Sequence, residues 1–196
     1  MSSPALSYKD HYTYQDYLSW EDGERWELID GVAYNMTPAP IRKHQRLVHE
    51  LSRIIGNALV GKSCEVNIAT FDVRLPKAQQ SEDEVDTVVQ PDLSVICDPS
   101  KLDEKGGIGA PDWIIEVLSP STATKDLNLK AILYQTHGVR EYWIVDPEKE
   151  QIIVNRLDED RKQYTFSRVY ERSNVLASVV LPELPISLEE VFKAAE

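Results

Sequence analysis

Two acids stand where a buried sheet has little use for them. Asp92 follows Pro91 at the head of the apolar run Leu93-Ser94-Val95-Ile96, and Glu116 lies among Ile114, Ile115, Val117 and Leu118. Burying an unpaired carboxylate is costly, or forces it to take up a proton. A chain that keeps Glu116 there must supply a cation, a hydrogen-bond network or a metal. Two carboxylates brought together suit a hard divalent cation, because Mg²⁺ takes one or two carboxylates and fills its shell with waters and phosphate oxygens. Such an ion polarises a phosphodiester and lowers the pKa of an attacking water. A glycosidase-like pair is the other use of two carboxylates, but nothing beyond scattered aromatics offers a sugar platform. Each acid also has a plain structural reading: Asp92 as a turn residue after proline, Glu116 as a buried acid satisfied by Lys130 or by backbone.

The elements that must position these acids follow from periodicity. Asp30-Gly31 between the runs 25–29 and 32–36 is a hairpin signal. Over 41–60, Leu47, Val48, Leu51, Ile54, Ile55, Ala58 and Leu59 make one wide apolar helical face, with His44 near its centre and Glu50 at its edge. Arg42, Arg46 and Arg53 fall on the opposite side. The spacing predicts a long strand over 64–75, a polar, acidic loop over 77–87, and strands at 92–97 and 113–118 joined by an exposed connection over 98–110. Ser119-Pro120-Ser121-Thr122 then offers caps for a helix over 124–137, closed by Gly138. On that helix Asp126, Lys130 and Tyr134 form an i, i+4, i+8 stripe. A strand at 142–145 follows, so strand, helix, strand reads as a parallel crossover. Strands at 152–157, 164–170 and 175–181 and a short capped helix beginning at Ser187 complete the chain.

Composition bounds the rest. The 196 residues imply one domain over 1–196. The formal net charge is −12, from 21 basic and 33 acidic residues, which favours solubility and disfavours non-specific binding to nucleic acid. A protein that cleaves DNA must therefore concentrate positive charge locally, and Arg42, Lys43, Arg46 and Arg53 are the local concentration. No apolar run approaches the ~20 residues of a membrane span, and the N-terminus lacks a signal-peptide layout. These features point to a cytoplasmic protein, in which Cys64 and Cys97 are expected to be reduced core residues.

Trp26-Glu-Leu-Ile-Asp-Gly31, His44-Gln45, Phe71-Asp-Val-Arg74, Val89-Gln-Pro-Asp92, Ile115-Glu-Val-Leu-Ser-Pro-Ser-Thr122, Asp126 with Lys130 and Tyr134, and Gly138-Val-Arg-Glu-Tyr-Trp-Ile-Val-Asp-Pro147 together resemble the Uma2 family. This is a group of bacterial proteins numerous in cyanobacteria and placed in the PD-(D/E)XK restriction-endonuclease-like superfamily. The similarity spans roughly 12–195. It implies an α+β fold with a core of helix, three strands, helix and strand over about 41–146, plus an N-terminal hairpin and C-terminal strands. The element order read above agrees.

The resemblance implies a Mg²⁺- or Mn²⁺-dependent endonuclease acting on DNA, or a catalytically weak module that keeps the fold. Asp92 and Glu116 match the metal-holding acids. The lysine expected two residues beyond the second acid is replaced by Leu118, and Lys130 is the candidate to stand in for it. His44 joins the catalytic candidates because the first core helix borders the cleft. Glu50 and Asp72 are further candidate metal ligands, and Arg42, Arg46 and Arg53 candidate phosphate contacts. A homodimer is expected, since cutting both strands usually needs two sites and Trp20, Trp26 and Tyr34 offer apolar area.

Overall fold

The computed structural model describes residues 9–21, 23–36, 41–119 and 125–196, with backbone alone at 125 and 126. In chain order its elements are α1 (Tyr14–Leu18), β1 (Trp26–Ile29), β2 (Val32–Asn35), α2 (Arg42–Leu59), β3 (Glu65–Ile68), β4 (Val73–Arg74), β5 (Val88–Val89), β6 (Leu93–Ile96), β7 (Leu102–Asp103), β8 (Gly106–Ile108), β9 (Trp113–Val117), α3 (Ala131–His137), β10 (Glu141–Asp146), β11 (Gln151–Asp158), β12 (Gln163–Glu171), β13 (Val175–Leu176), β14 (Ile186–Ser187) and α4 (Leu188–Ala194). A π-helical segment, Lys125–Lys130, leads into α3.

Local chemistry explains the main boundaries. Asp30 and Gly31 both take positive φ, at 50° and 77°, so β1 and β2 close in the hairpin turn that Asp-Gly favours. α3 ends at Gly138, which adopts φ 87° and lets its amide bond back to the Gln135 and Tyr134 carbonyls. The Ser187 hydroxyl accepts the Glu190 amide at 3.4 Å and starts α4.

Two six-stranded sheets result, ordered β12-β11-β10-β9-β6-β3 and β2-β1-β5-β4-β8-β7. In the first, β9 and β10 run parallel and their neighbours are antiparallel. Because side chains alternate along a strand, Trp113, Ile115 and Val117 face one core with Leu47, Leu51 and Ile55 of α2 and Val191 and Phe192 of α4. Ile114 faces the other way, into a core shared with Leu133 and Tyr134 of α3 and with Ile29, Val73 and Val89 of the second sheet. The first sheet thus lies between α2 and α4 on one side and α3 with the second sheet on the other, and Glu116 projects toward α3. Trp113 and Trp143 pack edge to face at 4.5 Å, as their strand positions predict.

Four expectations need correction. The long strand over 64–75 is two strands in different sheets. The ladder of β3 ends with the Ala69 amide on the Asp92 carbonyl at 3.1 Å, after which the chain crosses to the second sheet. The connection over 98–110 is not simply exposed. Its β7–β8 hairpin is pinned by the fully buried Arg74, whose guanidinium binds Asp103 at 2.7 Å and the Gly107 carbonyl at 3.2 Å. A Cβ at Gly106 would meet the Asp72 carbonyl oxygen at 2.2 Å, so only glycine fits that approach. The strand expected over 175–181 stops at Leu176. Finally, Cys64 and Cys97 form a disulfide rather than standing reduced. The β3–β6 register pairs Glu65 with Ile96, so the next residues outward are the two cysteines, with Cα atoms 3.7 Å apart. Sequence reading missed this because the pairing partner of β3 was not legible along the chain. Pro38, Ala39 and Pro40, the proposed caps Pro120, Ser121 and Thr122, and the Asp126 side chain lie outside the described residues.

Candidate metal-binding and catalytic site

The register that pairs Leu93 with Ile115 brings Asp92 opposite Glu116 at the end of the β6–β9 ladder. The two acids are tied across the ladder by backbone amides. The Asp92 amide donates to Glu116 Oε2 at 3.3 Å, and the Val117 amide donates to Asp92 Oδ2 at 2.8 Å. Both carboxylates therefore occupy one end of one pair of strands. Glu116 is buried, while the Asp92 side chain keeps 20% of its surface exposed.

Each acid is held by a different layer. From α2, His44 places Nε2 3.1 Å from Asp92 Oδ2. An ionised carboxylate can only accept, so Nε2 carries the hydrogen in this contact. The other ring nitrogen, Nδ1, is buried and has no hydrogen-bond partner among the described residues. Asp92 Oδ1 likewise lacks a hydrogen bond among the described residues. From the opposite layer, Lys130 Nζ lies 2.7 Å and Tyr134 Oη 2.9 Å from Glu116 Oε1. The stripe read on the helix thus delivers two of its members to one carboxylate oxygen. Lys130 is only 3% exposed, so it is not a surface lysine.

The remaining candidates are not brought to this pair. Among the described residues no three His, Cys, Asp or Glu side chains cluster closely enough to hold a metal by themselves. Glu50 is bound through both oxygens by Arg53, at 2.6 and 3.0 Å, and this pairing holds its carboxyl below the usual range. Six residues after His44 on a helix of 3.6 per turn, it points well away from that residue. Asp72 accepts from Tyr17 Oη at 3.0 Å and Gln90 Nε2 at 2.8 Å, and burial nevertheless pushes its carboxyl up. The α2 arginines are engaged too. Arg42 donates to the Glu196 carbonyl at 2.8 Å and Arg46 to the Ala194 carbonyl at 2.6 Å, anchoring the end of α4.

Two residues that sequence reasoning passed over complete the network. Glu27 of β1 is fully buried, with Oε1 2.9 Å from Lys130 Nζ and 3.1 Å from the Gln90 amide. Gln90 in turn accepts from Arg25 at 2.8 Å. The available signal was modest: in a strand, Glu27 shares a face with Ile29, an unusual companion for a solvated acid.

The donor set suits a hard cation only if exogenous oxygens complete the shell. Two carboxylates from the protein, with water and phosphate for the rest, is the pattern for Mg²⁺, whereas an all-protein cage is not.

Comparisons with known proteins agree with this architecture. An uncharacterised protein of Synechocystis sp. is 29% identical over 149 residues, covering 74% of each chain. A crystal structure described as "a putative nuclease belonging to DUF820" from Anabaena variabilis superposes with TM-score 0.74, covering 94% of this chain and 99% of that one. At 22% identity that match shows a shared fold. Both organisms are cyanobacteria. The family profile described as "Putative restriction endonuclease" matches residues 14–189, and the chain belongs to this Uma2 family.

Proposed function

We propose that the protein is a Mg²⁺- or Mn²⁺-dependent endonuclease hydrolysing phosphodiester bonds of DNA, with Asp92 and Glu116 as the metal-holding pair. The observation that carries this reading is their place at one strand end, where Glu116 accepts the Asp92 amide and Asp92 accepts the Val117 amide, with a buried lysine on Glu116. When bound, a divalent cation supplies a Lewis acid for a phosphoryl oxygen and a water of lowered pKa. His44 orients Asp92 through Oδ2 and leaves Oδ1 to face the ligand. Lys130 offsets carboxylate charge at Glu116 and offers positive charge next to the phosphate position. Tyr134 fixes the rotamer of Glu116.

A plasmid and single-strand nicking assay across Mg²⁺ and Mn²⁺ tests the reading. Wild-type protein should nick in the presence of metal and Asp92→Ala should not. Nicking that persists in Asp92→Ala, or none from the wild type with either ion, would overturn it. A second reading, a non-catalytic binding or regulatory module, is favoured by one observation: two of the three arginines expected to meet phosphates, Arg42 and Arg46, are tied to the end of α4. It takes over if no nucleic acid is cut. The proposed enzyme acts as a homodimer, because one nuclease site breaks one strand; a cytoplasmic location is the part of the reading that the Cys64–Cys97 disulfide opposes. No helix among the described residues is long and apolar enough to cross a membrane.

A further inference from the structure

Lys130 does not bind Glu116 alone. Its ammonium lies between Glu116 Oε1 at 2.7 Å and Glu27 Oε1 at 2.9 Å, and all three side chains are at least 95% buried. Glu27 comes from the N-terminal hairpin, in the second sheet, outside the minimal nuclease core. The same Glu27 oxygen accepts the Gln90 amide, two residues before Asp92. One carboxylate therefore ties the crossover-helix lysine to the segment between β5 and β6 that carries the first acid. A lysine stem is flexible, and an ammonium is a point charge with three donors. Glu27 shares that charge with Glu116, so the ammonium is divided between two carboxylates.

We propose that Glu27 is a positioning residue of this centre: its buried carboxylate holds the Lys130 ammonium at a fixed distance from Glu116, so that the N-terminal hairpin is a working part of the site. The inference rests on the reading of Asp92 and Glu116 as the centre. It makes Glu27 act through Lys130 and not on the substrate. Residues that orient those at a metal centre commonly change affinity or activity by 10–100-fold when lost.

The test is a double-mutant cycle on the full chain with Glu27→Gln, Lys130→Met and both together, read by metal-dependent plasmid nicking and by urea unfolding. Glu27→Gln should lower kcat by about 10–100-fold at little-changed KM, and should add no further loss in the Lys130→Met background. Glu27→Asp should recover part of the loss. A Glu27→Gln protein that nicks like wild type, or losses that simply multiply, would overturn the inference while leaving the nuclease reading intact. If Lys130→Met or Glu27→Gln fails to fold, Glu27→Asp decides: a lowered kcat at unchanged KM supports the role, and unaltered kinetics refutes it. If the wild type nicks nothing, the nuclease reading falls and the unfolding cycle decides. Coupling of tenfold or more in the unfolding constant supports Glu27 as the anchor of Lys130, and independent effects reject it; with an unfoldable single variant, unchanged stability of Glu27→Asp rejects it.

Discussion

Lys130 shows how burial changes the expected cost of a substitution. As a surface partner of Asp126 it would contribute a few tenths of a kcal/mol. With its side chain 3% exposed and its ammonium between Glu27 and Glu116, its removal leaves two buried carboxylates without that cation. Breaking such an arrangement costs about 3–5 kcal/mol. Lys130→Met is therefore expected to lose that much in urea denaturation and, where folded, about 10²-fold in nicking. A loss below ~1 kcal/mol would contradict the buried pairing. Asp72 offers the opposite case. Burial raises its carboxyl pKa despite the bonds from Gln90 and Tyr17. A raised folded-state pKa gives stability that is fully present below the unfolded value of 3.8 and lost as pH rises through the folded value. Asp72→Asn keeps an acceptor oxygen and removes the charge. Its melting temperature should exceed that of wild type at pH 7, with the advantage shrinking toward pH 3.8 and below. An advantage that persists undiminished in acid would refute this account.

At the scale of elements, α2 serves two neighbours with two faces. Its apolar face carries His44 to Asp92 and packs on the first sheet, and its basic face holds α4. A cation at a helix C-terminus is favoured by the carbonyls left free there, which gives Arg42 and Arg46 a structural reason independent of DNA. Replacing both with alanine should weaken the docking of α4 by under about 1 kcal/mol per exposed bond. The same protein should bind a fluorescent duplex as wild type does. A clear drop in duplex affinity, with unchanged stability, would return these arginines to phosphate contact. At the far edge of the sheet the Cys64–Cys97 bridge ties β3 to β6, the strand that Asp92 precedes.

For the whole molecule, the candidate site gathers parts from every layer: Asp92 and Glu116 from the first sheet, His44 from α2, Lys130 and Tyr134 from the crossover helix, and Glu27 from the second sheet. The aromatic residues expected to form an interface are partly used within the chain. Trp20 packs on Tyr12 at 5.3 Å and on Trp26 at 5.6 Å, and Tyr34 packs against the core between the sheets. A homodimer would have only the exposed part of these rings to use. Light scattering on a sizing column at micromolar concentration should give twice 22.3 kDa, and a mass of 22.3 kDa would count against the dimer.

Local patterning alone determined much of this protein. The helix over 41–60, the Asp-Gly hairpin, the parallel crossover and the two strand-borne acids all follow from short-range periods and turn chemistry, which depend on neighbours within a few residues. The Lys130–Tyr134 stripe was legible for the same reason, since residues four apart share a helical face. Tertiary structure decided what each stripe meets. It divided 64–75 between two sheets, paired Cys64 with Cys97, committed Arg42 and Arg46 to α4, and separated Glu50 and Asp72 from the acids at 92 and 116. Above all it placed Glu27, 103 positions before Lys130 in the numbering, on the same ammonium as Glu116. Burial strengthens the attraction among these three charges while costing them their hydration, and that burial is a property of the packed layers that no single stretch of chain contains.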